Sequence, residues 1–169
     1  MSPKTQKAGA SSVTGMLRQD HKKVKGLFKE FEKAENAKVK ERIVETALME
    51  LTVHAALEEE LIYPAIRSEI DAEDLMDEAV EEHHVVHVLI AELKKMQPGD
   101  ERYDAKFTVL GELCKHHIKE EEDEMLPKAE KSDIDWEELS AEVMKRKDQL
   151  MKQTPSPSKN GKNRIAKKK

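Results

Sequence analysis

The sequence predicts an all-α protein: an up-down-up-down four-helix bundle built from two duplicated helical hairpins, with an extra short C-terminal helix and a disordered basic tail. Three observations predict it. Apolar residues recur at three- and four-residue steps along most of the chain, the period of an amphipathic helix. Charged residues reach 38% while aromatics are only 4%, a balance suited to long helices with solvated outer faces. The third observation is a repeat. His54-Ala55-Ala56-Leu57-Glu58 runs on to Pro64, and His117-Ile118-Lys119-Glu120-Glu121 runs on to Pro127, with the same His-x3-Glu-x5-Pro spacing 63 residues later. Upstream of each, Asp20-His21-x2-Val24-x2-Leu27 matches Glu82-His83-x2-Val86-x2-Leu89 at an interval of 62. Four helices with short connections pack most simply as neighbours alternating in direction.

At 169 residues the chain is long enough for one domain with a sizeable core, plus tails. The expected division is a disordered arm over 1–11, the bundle over 12–130, an accessory helix over 131–153 and a disordered basic tail over 154–169. That tail holds Lys159, Lys162, Arg164, Lys167, Lys168 and Lys169 with no acid, so the remainder is more acidic than the net charge of −5 suggests. Such a block is read as a solvated, solubilising end. The alternative is weak contact with nucleic acid or another acidic partner through this tail. No apolar run approaches the length of a membrane span, and Met1–Ser12 lacks the apolar core of a secretory signal. Cys114 is the only cysteine, so no intrachain disulfide framework exists and a cytoplasmic location is expected.

In chain order, Ser12 or Thr14 can cap a first helix whose inward line is Val13, Leu17, His21, Val24, Phe28 and Phe31. After a break near Asn36, a second helix carries Ile43, Ala47, Leu51, His54, Glu58, Leu61 and Ala65. Pro64 removes a backbone donor and should kink or end it, although one further turn is allowed. A third helix starts within residues 71–74 and lines up Met76, Ala79 or Val80, His83, Val86, His87, Ile90 and Leu93. Pro98-Gly99-Asp100 makes a turn. The fourth helix presents Phe107, Leu110, Cys114, His117, Glu121 and Met125. Asp133 or Asp135 caps a fifth, with Trp136, Leu139, Val143 and Leu150, expected to dock outside the bundle.

The inward lines therefore carry five imidazoles and two carboxylates: His21, His54, Glu58, His83, His87, His117 and Glu121. His54 and His117 stand ten residues before Pro64 and Pro127, so the two second helices present their pairs at equal depth. A single buried histidine is usually a hydrogen-bonded core residue. Two buried carboxylates are different, since each costs several kcal/mol if uncompensated. No arginine shares their stripes, and a pair of cations would suit five neutral nitrogens and two bridging carboxylates. His84 and His116 fall off these lines and are read as rim residues, becoming ligands only if a helix is rotated. Cys114 is read as a small core residue. Glu59, Glu60, Glu120, Glu122, Asp123 and Glu124 are read as a solvated face, with support of the ligands as the minority reading.

These residues resemble the hemerythrin family in its HHE cation-binding form. The family pattern is a histidine on the first helix, His-x3-Glu on the second, His-x3-His on the third and His-x3-Glu on the fourth. Here it is supplied by His21, His54 with Glu58, His83 with His87, and His117 with Glu121. The resemblance covers about residues 12 to 130. It implies two iron ions in a non-haem, oxo- or hydroxo-bridged di-iron centre. His83, His87 and His117 would hold one iron, His21 and His54 the other, and Glu58 and Glu121 would bridge them. Donor type alone would also allow zinc, manganese or nickel.

The resemblance further implies a function: binding, sensing or scavenging of oxygen or a related small molecule at the open position of the second iron. Oxygen, peroxide, nitric oxide or a small anion would be the partner there. Two alternatives stand beside it, an enzyme acting on peroxide, nitric oxide or ferrous iron, and an iron- or oxygen-sensing interaction module. No proton donor or nucleophile dedicated to catalysis is identifiable in the sequence.

Overall fold

The computed structural model describes the backbone of residues 4–155 and 157, and side chains from Val13 onward. All regular structure among these residues is helical. Helix α1 spans Lys4–Lys33, α2 Ala37–Leu57, α3 Tyr63–Glu69, α4 Glu73–Leu93, α5 Tyr103–Glu120, α6 Leu126–Glu130 and α7 Trp136–Gln153. Helix α1 thus begins ahead of the cap expected at Ser12 or Thr14, and Thr14 is buried within it. Of the expected basic tail, all but residues 154, 155 and 157 lie outside the described residues.

Local chemistry sets the breaks. The Asn36 side chain accepts from the backbone N–H groups of Lys38 and Val39, at 2.9 and 3.3 Å, and starts α2. Asp135 does the same for α7 by accepting from Glu138 N–H at 3.0 Å. Between α4 and α5, Gly99 takes a φ of 95° that suits a residue without Cβ, and Asp100 accepts from Gln97 N–H at 2.8 Å.

The two prolines do not stop their helices. Each is preceded by one wide π-helical turn, Glu58–Ile62 before Pro64 and Glu121–Met125 before Pro127. Proline lacks an N–H, and its ring clashes with the carbonyl four residues back, so a locally wider ladder relieves the conflict. The N–H of Tyr63 bonds to Glu58 O and that of Leu126 to Glu121 O, after which α3 and α6 continue. The wide turn also advances the inward line by one residue. Ile62, Tyr63 and Ile66 are buried, whereas Leu61 and Ala65, expected on the seam, are only partly buried.

Helix α1 packs on α2 and α4 on α5, while cross-contacts join α1 to α5 and α2 to α4. Gly111 is where α1 and α5 approach closely, since a Cβ there would lie 2.8 Å from the Phe28 ring. Helix α7 lies against α1 and α2. The apolar core comes in two parts. One contains Leu17, Leu57, Ile66, Met76, Met125 and the α7 residues Trp136, Leu139 and Val143. The other contains Val24, Phe28, Leu51, Val86, Phe107 and Cys114. On α1 His21 sits between Leu17 and Val24, and on α4 His83 sits between Ala79 and Val86, so a polar layer divides the core.

Candidate metal centre

Six of the seven expected site residues meet in that layer. His21, His54, His83 and His117 come from α1, α2, α4 and α5, and Glu58 and Glu121 open the two π turns. All six are buried, Glu58 and Glu121 to 0% and 1% exposure, so water cannot solvate the carboxylates.

Every one of the four imidazoles turns Nε2 inward and Nδ1 outward to a carboxylate. His21 Nδ1 is 2.8 Å from Glu122, His54 Nδ1 3.3 Å from Asp20, His83 Nδ1 2.8 Å from Glu59, and His117 Nδ1 2.5 Å from Glu82. A carboxylate only accepts, so Nδ1 carries a proton, and Nε2 is the atom that faces the interior to take a second proton or a cation. The pattern repeats with the sequence: the acid before the first histidine of a hairpin holds the second histidine of the same hairpin. The acid after each buried glutamate holds a histidine of the other hairpin. Glu59 and Glu122, read from sequence as part of a solvated face, are therefore built into the site. The signal for them was the Glu-Glu doublet repeated at 58–59 and 121–122.

The carboxylates span two half-sites. Glu58 places one oxygen 2.9 Å from His54 Nε2 and the other 3.1 Å from His83 Nε2. Glu121 places one oxygen 3.1 Å from His21 Nε2 and the other 3.7 Å from His117 Nε2. In the first half, donor atoms of His21, His54, Glu58 and Glu121 all lie within 4.8 Å of one another. His21 Nε2 and the oxygens of Glu58 and Glu121 that face this half are buried and make no well-formed hydrogen bond, although His21 and Glu121 lie 3.1 Å apart and Glu58 lies 2.9 Å from His54. Three orphaned donors aimed at one point are what a cation would satisfy.

In the second half, formed by Glu58, His83 and His117, a seventh group intrudes. The Tyr63 hydroxyl donates to Glu121 at 2.6 Å and lies 3.3 Å from Glu58 and 3.2 Å from both His83 Nε2 and His117 Nε2. The two Nε2 atoms are themselves 3.1 Å apart, a distance at which facing lone pairs require a proton or a cation between them. Tyr63 was missed from the sequence because a regular helix through Glu58 does not bring it inward. Its counterpart in the second hairpin is Leu126, which explains why only one half contains a phenol.

His87 is not brought to this cluster. The inward line of α4 runs Met76, Ala79, His83, Val86, Ile90 and Leu93, leaving His87 one step to the side, its side chain 43% exposed. Its Nε2 lies 2.7 Å from Glu59, on the oxygen that also meets His83 Nδ1. The expected ligand triad of His83, His87 and His117 is thus not the one assembled; Tyr63 stands with His83 and His117 instead. His84 and His116 are exposed, His116 lying 3.4 Å from Glu82 and 3.3 Å from Glu120.

Charge balance follows from this geometry. Burial opposes protonation of His54, yet Glu58 and Asp20 raise its pKa to about 10. His117 is raised to about 9 by Glu82, Glu121 and Glu58 against the same burial. Glu58, which burial would push up, is held well below the usual range by His54 and His83. Without metal, protons on imidazoles supply the positive charge that the carboxylates demand. A small cavity of about 30 Å³ adjoins the four imidazoles, and Val24, Leu51, Val86, Cys114 and Ile118 form its apolar wall. Burial and the nearby Glu58 and Glu82 push the Cys114 thiol up to about 12, so it is a neutral wall group.

Comparison with known proteins agrees with the site. Residues 12–129 match the hemerythrin HHE cation binding domain. A solved structure of a hemerythrin HHE cation binding domain-containing protein from Mycobacterium kansasii superimposes with a TM-score of 0.68 at 26% identity, over 81% of this chain and 85% of that one. A DNA nickase from Nostoc is 28% identical over 114 residues, which are 66% of this chain but only 31% of the relative. The chain thus spans about a third of that relative's length, and the relative's activity is not carried over. With the domain match extending over most of the chain, the protein belongs to the hemerythrin HHE cation-binding family.

Proposed function

We propose that this protein holds two metal ions, iron by family resemblance, and binds oxygen or a related small molecule beside them. The order of helix neighbours is read as the up-down-up-down four-helix bundle in which such a centre would lie. The observation that carries the reading is the set of orphaned, fully buried donors on His21, Glu58 and Glu121, backed by four imidazoles whose outer nitrogens are all held by carboxylates. Histidines oriented in this way by carboxylates are the usual support of metal ligands.

His21, His54, Glu58 and Glu121 would hold one ion. His83, His117, Glu58 and the Tyr63 oxygen would hold the other, with Glu121 shared. Iron in this place would supply a binding position for oxygen, peroxide or nitric oxide and exchange electrons with it. The chain's own groups do the rest. Asp20, Glu59, Glu82 and Glu122 keep each Nδ1 protonated and each Nε2 free to ligate. Val24, Leu51, Val86 and Ile118 keep the cavity apolar, and at about 30 Å³ it admits one or two water-sized molecules and no organic substrate. We place the protein in the cytoplasm on its single, buried cysteine. No helix among the described residues is long and apolar enough to cross a membrane.

The test is metal analysis of the purified protein, followed by absorption spectra of the iron-loaded, anaerobically reduced form before and after oxygen. Two irons per chain and a spectral change on oxygenation are expected. One metal or none per chain would overturn the two-metal reading, and an unchanged spectrum would overturn oxygen binding.

A further inference from the structure

We propose that Lys147, on helix α7, is a positioning residue for the metal centre, holding the carboxylate that orients His54. As a statement about metal binding this rests on the function proposed above. Residue 147 lies beyond the region 12–129 that matches the family.

Lys147 Nζ donates to both Asp20 oxygens, at 3.1 and 3.3 Å, and Asp20 in turn accepts from His54 Nδ1 at 3.3 Å. The Asp20 side chain is only 14% exposed, so these two donors are its principal compensation. They are held there by the docking of α7. Val143, one turn before Lys147, is fully buried in the core, and Arg146 grips Glu60 through two nitrogens at 2.6 and 3.0 Å. Burial of Val143 sets Lys147 against Asp20, while the Arg146–Glu60 pair, 31% and 44% exposed, adds little to that docking.

The internal repeat supplies a comparison within the same molecule. Glu82 is the counterpart of Asp20, but no lysine among the described residues pairs with it; its second oxygen faces the exposed His116 at 3.4 Å. Helix α7 therefore acts on one half-site only, the half whose donors are orphaned. A cation on Asp20 withdraws charge from the carboxylate, which makes it a weaker acceptor for His54 Nδ1 than Glu82 is for His117. The contact lengths, 3.3 Å against 2.5 Å, run in that direction. Lys147 thereby fixes the orientation of His54 and makes the two halves unequal.

The experiment compares wild type with Lys147→Met, Lys147→Arg and Arg146→Ala in the full chain. Imidazole ¹H–¹⁵N spectra of the metal-free proteins form the first arm. The His54 ring signals should shift or broaden in Lys147→Met, recover in Lys147→Arg and stay put in Arg146→Ala, while His117 signals remain unchanged. Iron release to a chelator forms the second. Of two release phases in wild type, Lys147→Met should accelerate one by about 3- to 10-fold, below or at the low end of what direct partners of metal-bound histidines contribute. An unmoved His54 signal in Lys147→Met overturns the proposal. So does an equal effect of Arg146→Ala on His54, which would make it a consequence of α7 docking alone. If wild type takes up no metal but the His54 signal still responds as described, the metal reading fails and the positioning role of Lys147 stands.

Discussion

Replacing Tyr63 with phenylalanine separates the two half-sites. The ring stays and only the hydroxyl is lost, together with a 2.6 Å bond to Glu121 and contacts of 3.2–3.3 Å to Glu58, His83 and His117. Each of those atoms is buried, so no water replaces the phenol. A hydrogen bond to a charged group is worth about 1.5–3 kcal/mol, and the stranded acceptor adds its desolvation cost. A net loss of about 2 kcal/mol in the metal-free protein is the expected outcome. For a chain of this size that lowers the melting temperature by roughly 4–8 °C. The assay is thermal unfolding by circular dichroism in chelator, followed by metal titration of both proteins. The first metal should bind Tyr63→Phe nearly as in wild type, because the orphaned donors of the His21–His54 half are untouched. The second should bind at least tenfold more weakly. A metal-free melting temperature within about 1 °C of wild type, or equal weakening of both metals, would refute the assignment of the phenol to one half-site.

Further outcomes follow from the same geometry. His83→Ala should cost one of two metals per chain, whereas His87→Ala should leave the stoichiometry unchanged, since His87 is 43% exposed and meets only Glu59 and the His83 ring; metal analysis decides. The metal-free protein should lose stability as pH rises from about 6.5 through 9–10. His54 and His117 have folded pKa values of about 10 and 9, above the ordinary 6.5, so their contribution is complete below 6.5 and is lost as they deprotonate. Metal should flatten that dependence by replacing the protons, and a metal-free melting temperature that climbs toward pH 10 would contradict it. Gly111→Ala should destabilise by about 1–3 kcal/mol in urea unfolding, because the new methyl meets the Phe28 ring at 2.8 Å and that ring already packs on Phe107 at 4.8 Å.

Much of the site was legible because helical periodicity and an internal repeat are both properties of sequence. The spacing His-x3-Glu places two side chains on one helical face whatever surrounds them, and repetition at matching depth put the two pairs at one level. His54, Glu58, His117 and Glu121 follow from that, and His21 and His83 from the acid-histidine repeat at an interval of 62. The same argument reached His87, which the structure sets beside the cluster and on Glu59, since residues four apart share a face only approximately and a seam that steps 83, 86, 90 leaves residue 87 to the side. Glu59 and Glu122 were visible as acids but not as partners, because what they hold lies on the opposite hairpin.

By itself, then, the sequence determined an all-helical protein with a repeated histidine and glutamate layer and a carboxylate problem that a cation would solve. The tertiary structure decided three things. The π turns ahead of Pro64 and Pro127 shift the inward line by one residue and carry Tyr63 into the second half-site, where Leu126 leaves the first half open. Packing of helix on helix gives each of the four buried histidines its outer carboxylate, Asp20 and Glu82 from the same hairpin and Glu59 and Glu122 from the other. Docking of α7 sets Lys147 on Asp20 alone. The physical reason is common to all three: each depends on which groups meet across elements distant in the chain or on a backbone distortion, and neither is encoded in the spacing of residues along one helix.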